Sequence, residues 1–237
     1  MHCFHLLVVA EMDTRYERNI PALTEAECVI LKNKRVLVVG CGGLGGHLID
    51  MLARIGIGAI RAVDGDVFEA SNLNRQLLSE VPLLGVGKAG AAARRVSRVN
   101  PEVDVDAVER FLTEANVHEL LHDCDAVLDG LDNIGSRRIL ADACSKAGIP
   151  YVYGAVNGWV AQAAVSTPGD GLSEKLYPED TVMKNKSVLS FTPALCASMQ
   201  VALCVKLLVG RPVETGTVFY FDLLHQEFET IPVCFGK

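Results

Sequence analysis

The chain has 237 residues, half of them apolar and 22% charged, with a formal net charge of −7 at pH 7. That length allows one large domain with a sizeable core. The acidic balance argues against a broad nucleic-acid-binding surface, and no apolar run reaches the roughly 18 residues a membrane span needs. FHLLVVA (4–10) is apolar but lacks the basic flank and small-residue cleavage site of a signal peptide. Met12 opens MDTRYERNIP and reads as a natural start, which would make residues 1–11 an extension.

Eight cysteines fall at 3, 28, 41, 124, 144, 196, 204 and 234. No two form a C-x-x-C, so the usual zinc spacing is absent. Most lie inside apolar segments, as buried thiols do. With no export signal, the cytoplasm is the expected compartment.

In chain order, RVLVVG (35–40) predicts a buried strand and LGGHLIDMLARIG (44–56) a helix stopped by Gly56. AIRAVD (59–64) predicts the next strand, GKAGAAARRVSRVN (87–100) an Ala-rich helix, and VDVDAV (103–108) a strand. TEANVHELL (113–121) predicts a helix capped by Thr113. DAVLDGLD (125–132) predicts a strand that runs into a polar end at Asp132, and GSRRILADACSKAG (135–148) a helix closed by Gly148. YVYGAV (151–156) predicts a fifth strand.

Such alternation predicts an α/β, Rossmann-like, mostly parallel sheet with helices on both faces. Beyond 157 the character changes. WVAQAAVST (159–167) and TVFYFDL (217–223) predict antiparallel strands, and FTPALCASMQVALCVKLLVG (191–210) one long apolar helix. Between them runs a long polar loop at about 166–190. The chain thus divides into an N-terminal extension and helical segment (1–34) and a single domain (35–237).

Gly40, Gly42 and Gly45 satisfy G-x-G-x-x-G between a strand and a helix, with Gly43 in the same turn. Glycines there let the backbone approach a phosphate, and the helix N-terminus offers unpaired N–H groups to the anion. Asp64 closes the second strand, where an acid binds the hydroxyls of an adenosine ribose. A nicotinamide cofactor would ask for little more, yet VDGDVFEASNLNRQ (63–76) adds Asp66, Asn72, Asn74, Arg75 and Gln76. A guanidinium and amides suit a polyphosphate better. Lys88 opens a helix after LLGVG and can reach a phosphate; its alternative is a solvated surface lysine. Asp132 is a hard oxygen ligand suited to Mg²⁺, or else the cap of the next helix. Asp129, on the same strand and face, is a candidate support for it.

With RYERN (15–19), VLVVGCGGLGG, SNLNRQ, GVGKAGAAARRVSRVNP and DAVLDGLDN in place, the chain resembles the ThiF/MoeB/HesA family, bacterial relatives of the ubiquitin-activating enzymes. The resemblance covers nearly the whole chain and implies ATP-dependent adenylylation. The target would be the C-terminal Gly-Gly carboxylate of a small ubiquitin-like sulfur carrier of thiamine, molybdopterin or related metabolism. It implies that the glycine loop cradles ATP and that Asp64, with Asp66, holds the ribose. Asn72, Arg75, Gln76 and Lys88 would neutralise phosphates, and Asp132 would bind Mg²⁺. It also implies a homodimer in which Arg18 enters the neighbouring subunit's site.

The pattern departs from many relatives in two places. The two C-x-x-C pairs are missing, and a lone Cys234 cannot make a tetrahedral site, so no zinc is expected. Met183 stands about where many relatives carry a cysteine in the crossing loop, and a thioether cannot form a thioester or persulfide. Three other readings remain: activation of a carboxylate on a modified tRNA base, a non-catalytic nucleotide-binding scaffold, and an NAD-linked dehydrogenase. The acidic charge opposes the first, and intact Asp132, Arg75 and Lys88 oppose the second. The lack of a His or Tyr–Lys proton-transfer set opposes the third.

Overall fold

A computed structural model describes residues 13–176 and 187–233. The expectations for residues 1–11, Met12, Met183 and Cys234 lie outside the described residues. Eight strands form one sheet in the order β3-β2-β1-β4-β5-β6-β7-β8. Strands β1 (Arg35–Val39), β2 (Ala59–Val63), β3 (Asp104–Val108), β4 (Ala126–Asp129) and β5 (Tyr151–Asn157) are parallel. β6 (Val160–Ser166), β7 (Thr217–Asp222) and β8 (Glu227–Pro232) then add on as antiparallel neighbours. The predicted fold class is borne out; β8 was not anticipated.

β1, β2, β4 and the first half of β5 are apolar at nearly every position because both faces are covered, whereas the edge strand β3 is exposed or half-buried along its length. Side chains alternate between faces. Val36 and Val38 join the core beneath helices α2 (Gly43–Ile55), α3 (Lys88–Val99) and α7 (Phe191–Leu208), whereas Leu37 and Val39 join the core beneath α4 (Val117–Leu121) and α5 (Ile134–Ala147). Leu23, and Leu31 of helix α1 (Glu25–Lys32), are buried in the first of these cores. A short helix, α6 (Leu172–Leu176), lies in the long loop.

Three local expectations need correction. The helix expected from Thr113 starts at Val117, because Asn116 ties the preceding residues into a turn: its amide oxygen accepts the Thr113 N–H at 2.8 Å and its amide donates to the Phe111 carbonyl at 2.9 Å. β4 ends at Asp129, so Asp132 lies past the strand and the shared-face relation of these two acids does not hold. Finally, α7 is 18 residues long and apolar enough, by length and composition, to cross a membrane. Here it is a core helix: Cys196, Ala197, Gln200 and Cys204 are fully buried where it meets α2, β5 and β6.

Candidate functional site

The chain order of the parallel strands reverses between β1 and β4, and open α/β sheets bind ligands at such a crevice, beyond the strands' C-terminal ends. A cleft of about 490 Å³ opens at that point. The β1–α2 turn contributes Gly40, Gly42 and Gly43, and the segment after β2 contributes Asp64 and Asp66. Asn74, Arg75, Gln76 and Lys88 form the next wall, Asp132 and Asn133 the one after β4, and Ala155, Val156, Val188 and Pro193 the far end.

Gly45 does not line the cleft. A Cβ there would lie 1.7 Å from the Gly40 carbonyl oxygen, so its hydrogen side lets the start of α2 sit against the end of β1. That contact aims the first N–H groups of α2 at the cleft. Asp64 uses both oxygens within the chain: Oδ2 accepts the Cys41 N–H at 2.7 Å and Oδ1 the Asp66 N–H at 2.8 Å. Burial pushes its carboxyl above the ordinary carboxylate value, opposed by those two backbone donors. The carboxylate thus braces the glycine turn against the acidic loop while facing the cleft.

The basic side is assembled from two elements. Lys88 is the first residue of α3 and is 7% exposed, which excludes a solvated surface lysine. Its Nζ lies 3.2 Å from Asp66 Oδ2, an exposed carboxylate that an incoming anion can displace. The Arg75 guanidinium folds back on its own turn, donating to the Ser71 carbonyl and to Asn74 Oδ1, both at 2.9 Å. Gln76 is buried, and its Oε1 has no hydrogen-bond partner. An orphaned buried acceptor is costly, and Gln76 is one of the residues that line the cleft.

Asn72 does not join them. Its Oδ1 accepts the Glu69 N–H at 3.0 Å and its side chain is spent closing the turn before Arg75, outside the cleft lining. Asp132 is exposed at the cleft wall and is not the cap of α5; Asn133 takes that role, its Oδ1 accepting the Ser136 N–H at 2.8 Å. Among the described residues no cluster of three or more His, Cys, Asp or Glu is arranged to hold a metal. Arg18 is exposed in a 3-10 helix (Thr14–Asn19) and does not line this cleft.

A family model described as the ThiF family matches residues 16–235. The chain belongs to the ThiF family. Its ThiF-family relatives include a protein named SAMP-activating enzyme E1 from Haloferax volcanii, 37% identical over 210 residues, covering 85% of this chain and 77% of that one. Another, the Bacillus subtilis sulfur carrier protein ThiS adenylyltransferase, is 34% identical over 209 residues, covering 83% of this chain and 60% of that one. Among solved structures, E. coli TcdA, a tRNA N6-threonylcarbamoyladenosine dehydratase, superposes with a TM-score of 0.72 at 25% identity, over 83% of this chain and 94% of that chain. The chain spans about 60% of the length of several curated relatives it matches.

Several residues of this ThiF-family site were missed from sequence. Arg110 and Phe111 line the cleft just past β3; scanning the C-terminal end of every parallel strand would have found them. Arg137 also lines it, 6% exposed, with Nη1 3.2 Å from Asp129 Oδ2, Nη2 donating to the Leu131 carbonyl, and its guanidinium 5.6 Å from the Tyr153 ring centroid. An arginine in the first turn of a helix opposes the helix dipole, and that local conflict was the available signal. Asp129 itself accepts from Tyr151 Oη at 2.6 Å, and Gln200 of α7 donates to the Asp129 and Val152 carbonyls at 3.0 Å.

Proposed function

We propose that this chain is an ATP-dependent adenylyltransferase that activates the C-terminal Gly-Gly carboxylate of a small ubiquitin-like sulfur carrier. The observation that carries the reading is that Asp64, Arg75, Lys88 and Asp132, from four separate chain segments, line one cleft at the switch point of the sheet. Relatives named for activating SAMP and ThiS give the substrate class. The carrier carboxylate oxygen attacks the α-phosphorus of ATP, the bond from that phosphorus to the bridging oxygen breaks, and pyrophosphate leaves.

The side chains here supply orientation and charge. Asp64, with Asp66, holds the ribose hydroxyls. Lys88 and Arg75 leave Asp66 and Ser71 and turn to phosphate oxygens. Gln76 Oε1 gains its missing donor. Asp132 fits a Mg²⁺, which is commonly held by one or two carboxylates and the substrate's own phosphates; that ion would neutralise phosphate charge. Residues from 35 onward carry the cleft, and the segment before them contributes Leu23 and Leu31 to the same core. The 3-10 helix packs at the C-terminal end of α2 whereas the cleft lies at its N-terminal end, about 20 Å away for a 13-residue helix. That distance keeps Arg18 out of this chain's own cleft and so supports the role the family resemblance implies, in which Arg18 enters a second copy's cleft in a homodimer. Burial pushes the thiol of Cys144 far above the ordinary cysteine value and those of Cys196 and Cys204 up to about 12, and such poorly acidic thiols suit a reducing cytoplasm.

Activation of a carboxylate on a modified tRNA base uses the same chemistry, but the net charge of −7 offers little for a phosphate backbone. ATP–pyrophosphate exchange with Mg²⁺ and a panel of carriers ending in Gly-Gly tests the choice. Exchange is expected with at least one carrier and should fall by about 10²–10³-fold in Asp132→Ala. Exchange unchanged in that variant removes the metal role, and exchange driven only by tRNA removes the carrier.

A further inference from the structure

We infer that Asn100 and Tyr16 are positioning residues that latch the Arg18 segment in the pose from which it serves the second subunit; this rests on the in-trans role proposed for Arg18. Asn100 caps the C-terminus of α3 and is 2% exposed. A buried amide at a helix end usually serves that end alone. This one donates to Tyr16 Oη at 2.7 Å and to the Ala53 carbonyl at 2.8 Å, while its Oδ1 accepts from Arg15 Nη1 at 2.5 Å and from the Glu102 N–H at 3.3 Å. Two of its four bonds leave the α2–α3 layer and go to the 3-10 helix that carries Arg18.

The rest of that helix is held at the same spot. The Tyr16 ring lies on Gly56, where a Cβ would come within 2.6 Å of the ring and where φ is +90°. Asn19 donates to the Ile55 carbonyl at 3.3 Å. In a 3-10 helix side chains three apart share a row. Tyr16 and Asn19 form the row pressed on the end of α2, and Arg15 and Arg18 form the row beside it. Arg15 is tied to Asn100 and Asp13, and Arg18 projects exposed from the fixed row. No residue of the latch lines this chain's own cleft. An effect of Asn100 that runs through Arg18 appears in the partner's cleft, whereas one that runs through α2 or α3 to Lys88 appears in its own, and mixed dimers tell the two apart.

Mixed dimers separate the possibilities. Asn100→Ala and Tyr16→Phe chains, each pure, should lose ATP–pyrophosphate exchange by at least about 10-fold, toward the 10²–10³-fold cost of removing one charge-stabilising donor. Co-assembled one to one with Lys88→Ala chains, each should recover about a quarter of wild-type turnover, since half the dimers are mixed and each has one complete site. Arg18→Ala mixed with Lys88→Ala is the reference pair. If the reference pair recovers and the Asn100→Ala and Tyr16→Phe pairs do not, the latch is overturned while the in-trans arginine stands. Full activity in the pure Asn100→Ala and Tyr16→Phe dimers overturns it too. If the reference pair fails although mixed dimers form, the in-trans reading falls and the latch falls with it. Tyr16→Phe keeps the ring on Gly56, so it carries the test should Asn100→Ala not fold.

Discussion

The parallel and antiparallel halves of the sheet are built on different terms. In β1, β2, β4 and the first half of β5 nearly every side chain is buried, and all four strands point their C-terminal ends at one edge. Packing is satisfied along the strands, so polar groups gather where the strands stop, and the cleft forms there. β8 is exposed at all six positions and carries Phe228 at 63% and Ile231 at 41% exposure. Within the antiparallel half β6 is still buried against α7, but β8 extends the sheet without enclosing anything. Rigidity and chemistry sit together on one side of the molecule, and the other side is the cheaper place for change.

The largest effect should come from the joint between core and cleft. Asp129 is 0% exposed at the end of β4 and faces Arg137 in the cleft wall. Removing one partner of a buried ion pair costs about 3–5 kcal/mol. Asp129→Ala should lower unfolding free energy by that amount in urea titration and weaken ATP binding at the same time. A stable variant with normal ATP affinity would mean that the two halves do not differ in the way described.

A paired comparison of the two halves follows. Leu37, 0% exposed in the central strand β1, should cost about 2–5 kcal/mol on truncation to Ala. Phe228 of β8 packs edge-on against Phe221 at 5.6 Å, and Phe228→Ala should cost only about 0.5–1.5 kcal/mol. Pyrophosphate exchange should survive the second change. Equal costs in urea titration would erase the distinction.

How legible these regions were from sequence follows the same division. Strands buried on both faces are continuous apolar runs, and helices between them end at glycines such as Gly56 and Gly148, both left-handed here; such signals are local. The cleft residues were legible where they cluster in sequence, as from Asp64 to Gln76. Asn72 misled because an amide in a polar run can serve its own turn as well as a ligand. Phe111 and Arg137 left only indirect signs, a place just past a strand and a cation early in a helix, and Gln200 reaches Asp129 and Val152 through tertiary packing that no local pattern encodes. β8 was missed because an edge strand exposed on both faces lacks a burial pattern to detect.

The smallest predicted effect tests the connection between the halves. Arg211, between α7 and β7, donates through Nε and Nη2 to both carboxylate oxygens of Glu27 in α1, at 2.6 and 2.7 Å. The guanidinium, helped by the Thr24 capping bonds, holds the Glu27 carboxyl down at about 2, against an ordinary value of 4.5. A carboxyl lowered by folding stabilises above its unfolded value, and that contribution drains away as pH falls toward its folded value. Wild type and Arg211→Ala should therefore differ by a small constant amount above pH 4.5 and converge as pH falls toward 2. Urea midpoints measured across that window check it. The pair is at the surface, so salt should shrink the difference as well. A gap that stays the same down to pH 2 would show that Arg211 acts by packing or by its bond to the Ala22 carbonyl rather than through the charge on Glu27.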